Sequence, residues 1–288
     1  MAVGKEIRTK IKSVENTKKI TKAMEMVAAS KMRKAQDRMR ASRPYSEKIV
    51  DLIGHFSQSN PEYSHEFMND FPDAPNIGII VISTDKGLCG GLNTNVFRYV
   101  LAKVQEAESK GKKVKAVAIG NKALSFLSRI DVEVLSSFVQ VGDSPSPENV
   151  NAAIKPILEL YEKGQLEQVF NFSNKFINTM KQDPVTEVLL PLNSKDINPI
   201  NNYTWDYVYE PESYELIDGL VLRYIETIIH QALVENIASE QSARMVAMKA
   251  ATDNAGNVIE ELKLVYNKTR QAAITKELSE IVAGAAAV

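Results

Sequence analysis

The chain has 288 residues, 44% hydrophobic and 25% charged, with a net charge of −1. That is enough for one or two domains with a real core. No apolar run approaches the length of a membrane span, and the single cysteine excludes both an internal disulfide and a zinc site built on several thiolates. The near-neutral total hides a division: residues 1–48 hold fourteen Lys/Arg against five Asp/Glu, leaving 21 basic and 31 acidic residues for the remainder. The basic end calls for an acidic partner. The opening MAVGKEIRTK lacks the apolar stretch of a signal peptide. Together with the cysteine usage, this predicts a reducing, cytoplasmic-type compartment and leaves attachment to a membrane through partners open.

Taken in order, residues 3–57 predict one long helix. Ile7, Ile11, Val14, Ile20, Met24, Val27, Ala28, Met32, Ala35 and Met39 form its apolar stripe, with a slip after Val14 where Lys18 takes a seam position. Pro44 removes a backbone N–H and predicts a bend near residues 40–42. Residues 59–75, with Pro61, Pro72 and Pro75, read as a linker. Strand and helix patterns then alternate: strands at 76–83, 115–119, 132–139, 168–180 and 187–192, and helices at 95–110, 121–128 and 148–162. That order predicts a mostly parallel, Rossmann-like sheet with helices on both faces. The segment YTWDYVYEP, with Tyr203, Trp205, Tyr207 and Tyr209, is either a strand or a partner-binding edge.

The last quarter, residues 212–282, predicts one proline-free helix. Its seam runs Ile217, Leu220, Tyr224, Thr227, Gln231, Val234, Ala238, Gln241, Met245, Met248, Thr252, Ala255, Ile259, Leu262, Tyr266, Thr269, Ala273. Steps of three and four average 3.5 residues, so the seam needs a partner helix in a left-handed supercoil. The first helix is that partner, and the α/β domain lying between them in sequence makes the pair antiparallel. The last helix outruns the first, so its tip, uncharged from Ile281 to Val288, should project alone. An apolar tip points to a sleeve in another protein, since an exposed terminus is usually polar.

The residues alone leave several readings open. One is a coiled-coil dimerisation helix. Another is an enzyme binding nucleotide at STDKGLCGGLN (residues 83–93), which follows the first strand where α/β sheets bind phosphate. Its glycines fit neither G-x-G-x-x-G nor a P-loop, however, and none of the three histidines is near Cys89 in sequence. A third is a basic adaptor for nucleic acid, which lacks interleaved aromatics. No His/Cys/carboxylate cluster has metal-ligand spacing.

Three stretches carry a resemblance over the whole chain: ENTKKITKAMEMVAASKMRKAQ, STDKGLCGGLN, and SEQSARMVAMKAATDNAGNVIEELKLVYNKTRQAAITKEL with its continuation SEIVAGAAA. They resemble the γ subunit, or central stalk, of bacterial F-type ATP synthase. The resemblance implies an α/β fold class: a long antiparallel coiled coil (residues 1–58 and 212–288), a linker (59–75) and a Rossmann-like foot domain (76–211). It implies a rotor shaft, one copy per complex, without catalytic residues, cofactor or metal of its own. It would couple proton flow to chemistry on the β subunits and regulate ATPase activity and proton flow. The implied partners are the α and β subunits, the ε subunit and the c-subunit ring, at the cytoplasmic face of the inner membrane and without nucleic acid.

Residue by residue, the resemblance places Met24, Lys22, Lys31, Arg33, Arg244, Gln271, Thr275, Glu277 and Glu280 against the β subunit. It places Ala283, Gly284, Ala285, Ala286, Ala287 and Val288 in an apolar bearing. Lys86, Leu88, Cys89, Tyr203, Trp205, Tyr207 and Tyr209 fall on the ε and c-ring side.

Overall fold

The computed structural model describes the backbone of residues 2–59, 65–192 and 213–286. The Tyr203–Tyr209 segment, Ala287 and Val288 lie outside the described residues. The elements in order are α1 (Ala2–Ser59), a short 3-10 turn (Glu66–Met68), β1 (Asn76–Ile82), α2 (Leu92–Ser109), β2 (Lys113–Ile119), α3 (Asn121–Leu127), β3 (Glu133–Phe138), α4 (Pro147–Glu162), β4 (Leu166–Phe176), β5 (Gln182–Leu190) and α5 (Ser213–Ala286). The chain forms two compact units, Met1–Ala29 with Arg244–Val288, and Ser30–Ala243. Residues 30–59 and 213–243 of the long helices fall with the sheet because they share its core.

In the unit Ser30–Ala243 the sheet order is β3-β2-β1-β4-β5, parallel except for the β4–β5 pair. Each parallel strand alternates its burial between two cores, as the pleat requires. Ile77, Ile79 and Val81 of β1 join Val96, Val100 and Val104 of α2 and Ala123 and Leu127 of α3. Ile80 and Ile82 join Ile154 and Ile157 of α4 and six buried residues of α5. Gly78 lies under α4, where a Cβ would come within 2.9 Å of Ile157 Cδ1 and 3.0 Å of Val169 Cγ2. β5 is an edge strand, which is why it tolerates Pro184.

Five of the α5 residues in that core, Val221, Ile225, Ile229, Leu233 and Ile237, are spaced four apart, and the sixth is Ala238 of the predicted seam; all are buried. The five form a second stripe beside the predicted seam. The seam residues as far as Gln231, namely Leu220, Tyr224, Thr227 and Gln231, are only half-buried, whereas the next two, Val234 and Ala238, are buried; Gln231 accepts a hydrogen bond from Ser42 of α1 at 2.7 Å. The lower part of α5 therefore serves two partners, the sheet through one stripe and α1 through the other.

In the unit formed by Met1–Ala29 and Arg244–Val288, α1 and α5 pair antiparallel. Thr21 and Thr252 share a hydroxyl hydrogen bond of 2.7 Å, and Lys18 passes over Gly256, where a Cβ would lie 3.1 Å from its Nζ. The predicted α5 seam holds: Met248, Thr252, Ala255 and Ile259 are buried, and Leu262, Tyr266, Thr269 and Ala273 are half-buried between exposed neighbours. The predicted α1 stripe needs correction. Ile20 and Val27 are 60% and 55% exposed. There is no slip; the spacing of three and four continues through Val14, Lys18, Thr21, Met24 and Ala28. A polar pair occupies the seam, and the isoleucine and valine face outward, because preserving the register costs less than rotating the helix to bury two side chains.

Candidate functional site

The residues expected to meet partners fall into three groups, built by different elements. The first is the outer surface of α1. Ile20, Met26 and Val27 are exposed, and Met26 lines a shallow groove together with Ile259, Glu15, Lys18, Lys19, Lys22 and Lys263. The groove is apolar at Met26 and Ile259 and edged mainly by cations, a lining suited to a segment that carries carboxylates. Met24, the residue singled out by resemblance, is half-buried toward α5, while its neighbours Met26 and Val27 present the larger exposed surface. Lys22 pairs with Glu25 on its own helix at 3.0 Å. The exposure of Ile20 and Val27 was not read from the sequence; the signal was available, since Lys18 and Thr21 at unbroken heptad spacing already force Ile20 outward.

Lys31 and Arg33 lie in the other unit, Ser30–Ala243. Arg33 is exposed, but Lys31 is tied to Asp143 of the loop before α4 at 2.7 Å. On α5, Arg244 is half-buried, whereas Gln271, Thr275, Glu277 and Glu280 are exposed. Glu280 lies 3.7 Å from Lys276.

The second group is the end of α5. With Thr21 opposite Thr252, antiparallel steps of equal rise put Ala2 opposite residue 271. Beyond that point α5 has no α1 residue to pair with, and residues 274–283 are all exposed, including Ile281 and Val282 at 67% each. Ala283 and Ala285 are exposed as well; the side chains of Gly284 and Ala286 lie outside the described residues. The expected lone apolar tip is present as far as the described residues reach.

The third group is the loop after β1. Its polar atoms are turned on one another. Asn93 Oδ1 accepts from the Thr84 N–H at 3.2 Å, Asn93 Nδ2 donates to Thr84 Oγ1 at 2.7 Å, and Thr84 Oγ1 donates to the Lys86 carbonyl at 2.7 Å. Asp85 Oδ1 accepts from the N–H of Asn121, the first residue of α3, at 3.0 Å. A carboxylate there takes the donor a phosphate would use and repels an anion, which argues against the nucleotide reading. Cys89 is buried and lies 3.5 Å from Asn93 Nδ2, so it is a packed thiol, while Leu88 at φ +65° and 62% exposure is the outward residue of the loop. Lys86 is exposed. Among the described residues there is no group of three His, Cys, Asp or Glu able to hold a metal, and no helix long and apolar enough to cross a membrane.

Two histidines have altered protonation. Burial pushes the His65 pKa down against the opposing pull of Asp218, Glu66 and Glu162, and its Nδ1 accepts from the Phe67 N–H at 3.0 Å. Burial alone lowers that of His230.

Comparison with known proteins sets this geometry in a family. The family model described as ATP synthase matches residues 4–288. The chain is 63% identical over 289 residues to the ATP synthase gamma chain of Paracidovorax citrulli and 61% identical to that of a Janthinobacterium species, with all of both chains covered in each case. Among solved structures it is similar to a chain of the Tetrahymena thermophila mitochondrial ATP synthase central stalk and c-ring, at 27% identity and TM-score 0.59, over 81% of this chain and 99% of that one. A chain of the Euglena gracilis mitochondrial ATP synthase rotor shares the fold at 20% identity and TM-score 0.66, over 95% and 99%. Two terminal helices paired around an inserted α/β sheet, matched from end to end at this identity, make the chain a member of the ATP synthase gamma chain family.

Proposed function

We propose that the chain is the central rotor shaft of a proton-translocating F-type ATP synthase. It is a non-catalytic subunit: the chemistry belongs to the β subunits, and this chain couples their binding changes to proton flow and thereby regulates both. The observation that carries the reading is the end-to-end match to gamma chains at above 60% identity.

The coil of α1 and α5 stands among the α and β subunits, one copy per complex, and the α/β domain meets the ε subunit and the c-ring at the cytoplasmic face of the inner membrane. Met24, Lys22, Arg33, Arg244, Gln271, Thr275, Glu277 and Glu280 serve as the β-facing set, joined by the exposed Ile20, Met26 and Val27. Residues 283–288 form the bearing; Lys86, Leu88, Cys89 and the Tyr203, Trp205, Tyr207 and Tyr209 segment lie toward ε and the ring. The partly polar exposed surface of α5 suits a shaft, because strong burial against one β subunit would hold it at a single angle, whereas rotation requires near-equal free energies at successive positions.

The test is ATPase activity of α and β subunits mixed with and without this chain, with nucleotide binding to the chain alone as control. One stable complex with raised turnover, and no nucleotide bound by the chain itself, is the expected result. Nucleotide binding by the isolated chain together with indifference to α and β would overturn the reading. Within the assembled enzyme, Met24→Lys is expected to lower proton pumping relative to ATP hydrolysis by adding a charge that grips a β-subunit acid; an unchanged ratio would remove Met24 from the contact set.

A further inference from the structure

A charged contact joins α1 to the α/β domain inside the unit Ser30–Ala243. The carboxylate of Asp143, in the loop between β3 and α4, receives Lys31 Nζ at 3.0 Å on Oδ1 and 2.7 Å on Oδ2. The backbone carbonyl of the same residue accepts from the Arg38 guanidinium. Lys31 and Arg38 are two helical turns apart and so lie on one side of α1. The loop is itself held in place: the N–H of Gln140, at φ +58°, donates to Asp85 Oδ1 at 3.0 Å, and that oxygen also accepts from Asn121 N–H at 3.0 Å. One carboxylate thus knits together the loops that follow β1, β2 and β3, and the third of these loops reaches the helix.

We propose that Asp143 fastens α1 to the α/β domain through Lys31 and Arg38, so that these two cations carry turning force within the chain and do not meet the β subunits. The proposal rests on the rotor reading above and is the reason Lys31, which the resemblance places against the β subunit, is absent from its β-facing set. The side chains of Lys31 and Asp143 are 43% and 48% exposed. An ion pair so wetted adds little to static stability. Its use is to resist sliding of the helix past the loop, in which it is helped by the second anchor: Arg38 bonds to a carbonyl oxygen that no change of protonation removes.

The test uses the complete enzyme in proton-tight vesicles, carrying K31D, D143K or the K31D/D143K swap. ATP hydrolysis by the detached complex of α, β and this chain measures turnover without load, and ATP-driven proton pumping measures it against a gradient. Each single reversal is expected to leave unloaded hydrolysis unchanged and to lower pumping by about threefold or more, within the range for directly coupled residue pairs, and the swap should restore pumping. D143N, which removes the negative charge without setting a second cation against Lys31, should fall between wild type and D143K. If K31D slows hydrolysis without load and the swap fails to recover it, Lys31 acts on a partner and the clamp is refuted. Normal pumping by D143K beside a normal wild type overturns the clamp alone. Failure of the wild-type chain to assemble with α and β overturns the rotor reading, and the clamp's purpose with it.

Discussion

Ile229→Ala tests whether α5 is fastened to the sheet by the stripe that the heptad pattern does not contain. Ile229 is fully buried in the core shared with β1, β2 and α4. The substitution deletes three carbons, about 2.4 kcal/mol at roughly 0.8 kcal/mol per buried methylene. The space left cannot close completely, because neighbours on the sheet and on α4 are held by their own elements. The expected total is about 3–4 kcal/mol, inside the usual range of about 2–5 for such truncations. Thr227, a predicted seam residue two positions away, is half-buried, and Thr227→Ala should cost below about 1 kcal/mol. Urea unfolding of the isolated chain, followed by far-ultraviolet circular dichroism, measures both; the slope with denaturant should stay constant, so that midpoints report stability. A loss below about 1 kcal/mol for Ile229→Ala, or equal losses for the two variants, would refute the two-stripe account of α5.

Three further outcomes are expected. Removing residues 283–288 should leave the helical content and urea midpoint of the isolated chain unchanged, since residues 274–283 are exposed and beyond the reach of α1, while weakening assembly with α and β; a lowered midpoint would make the tip part of the core. Gly120→Ala should prevent folding or cost several kcal/mol, because Gly120 sits at φ +92° and the added Cβ would lie 2.4 Å from the Ser83 carbonyl oxygen, so a variant that unfolds at the wild-type urea concentration would contradict the backbone described here. His65 has a folded pKa below its ordinary value, so the stability it contributes is present above that value and is lost as pH falls through the folded one. Acidification below the usual histidine range should therefore destabilise the wild type more than His65→Gln, and parallel pH profiles would exclude the effect.

The sequence by itself determined what depends on local periodicity. Its 3.5-residue spacing found the α5 seam from Met248 to Ala273, and the continuous apolar run of residues 77–82 found the central strand with its core on both faces. The excess length of the last helix located the unpaired tip, and the specific stretches around Met24, Cys89 and Ile274 carried the family. Only the tertiary structure decided which of two apolar faces a helix turns toward which partner. Ile20 and Val27 are as greasy as any seam residue, yet they face outward, because register is a property of both helices together and Thr252 with Gly256 accept Thr21 and Lys18 opposite them. The stripe from Val221 to Ile237 lay unread for the converse reason: a four-residue spacing signals a buried helix face only once a sheet stands beside it. Lys31 looked like any exposed cation on a basic helix until Asp143, 112 residues away, was found against it. A pairing that distant leaves no periodic trace, since it is made by the loop geometry that brings the two together.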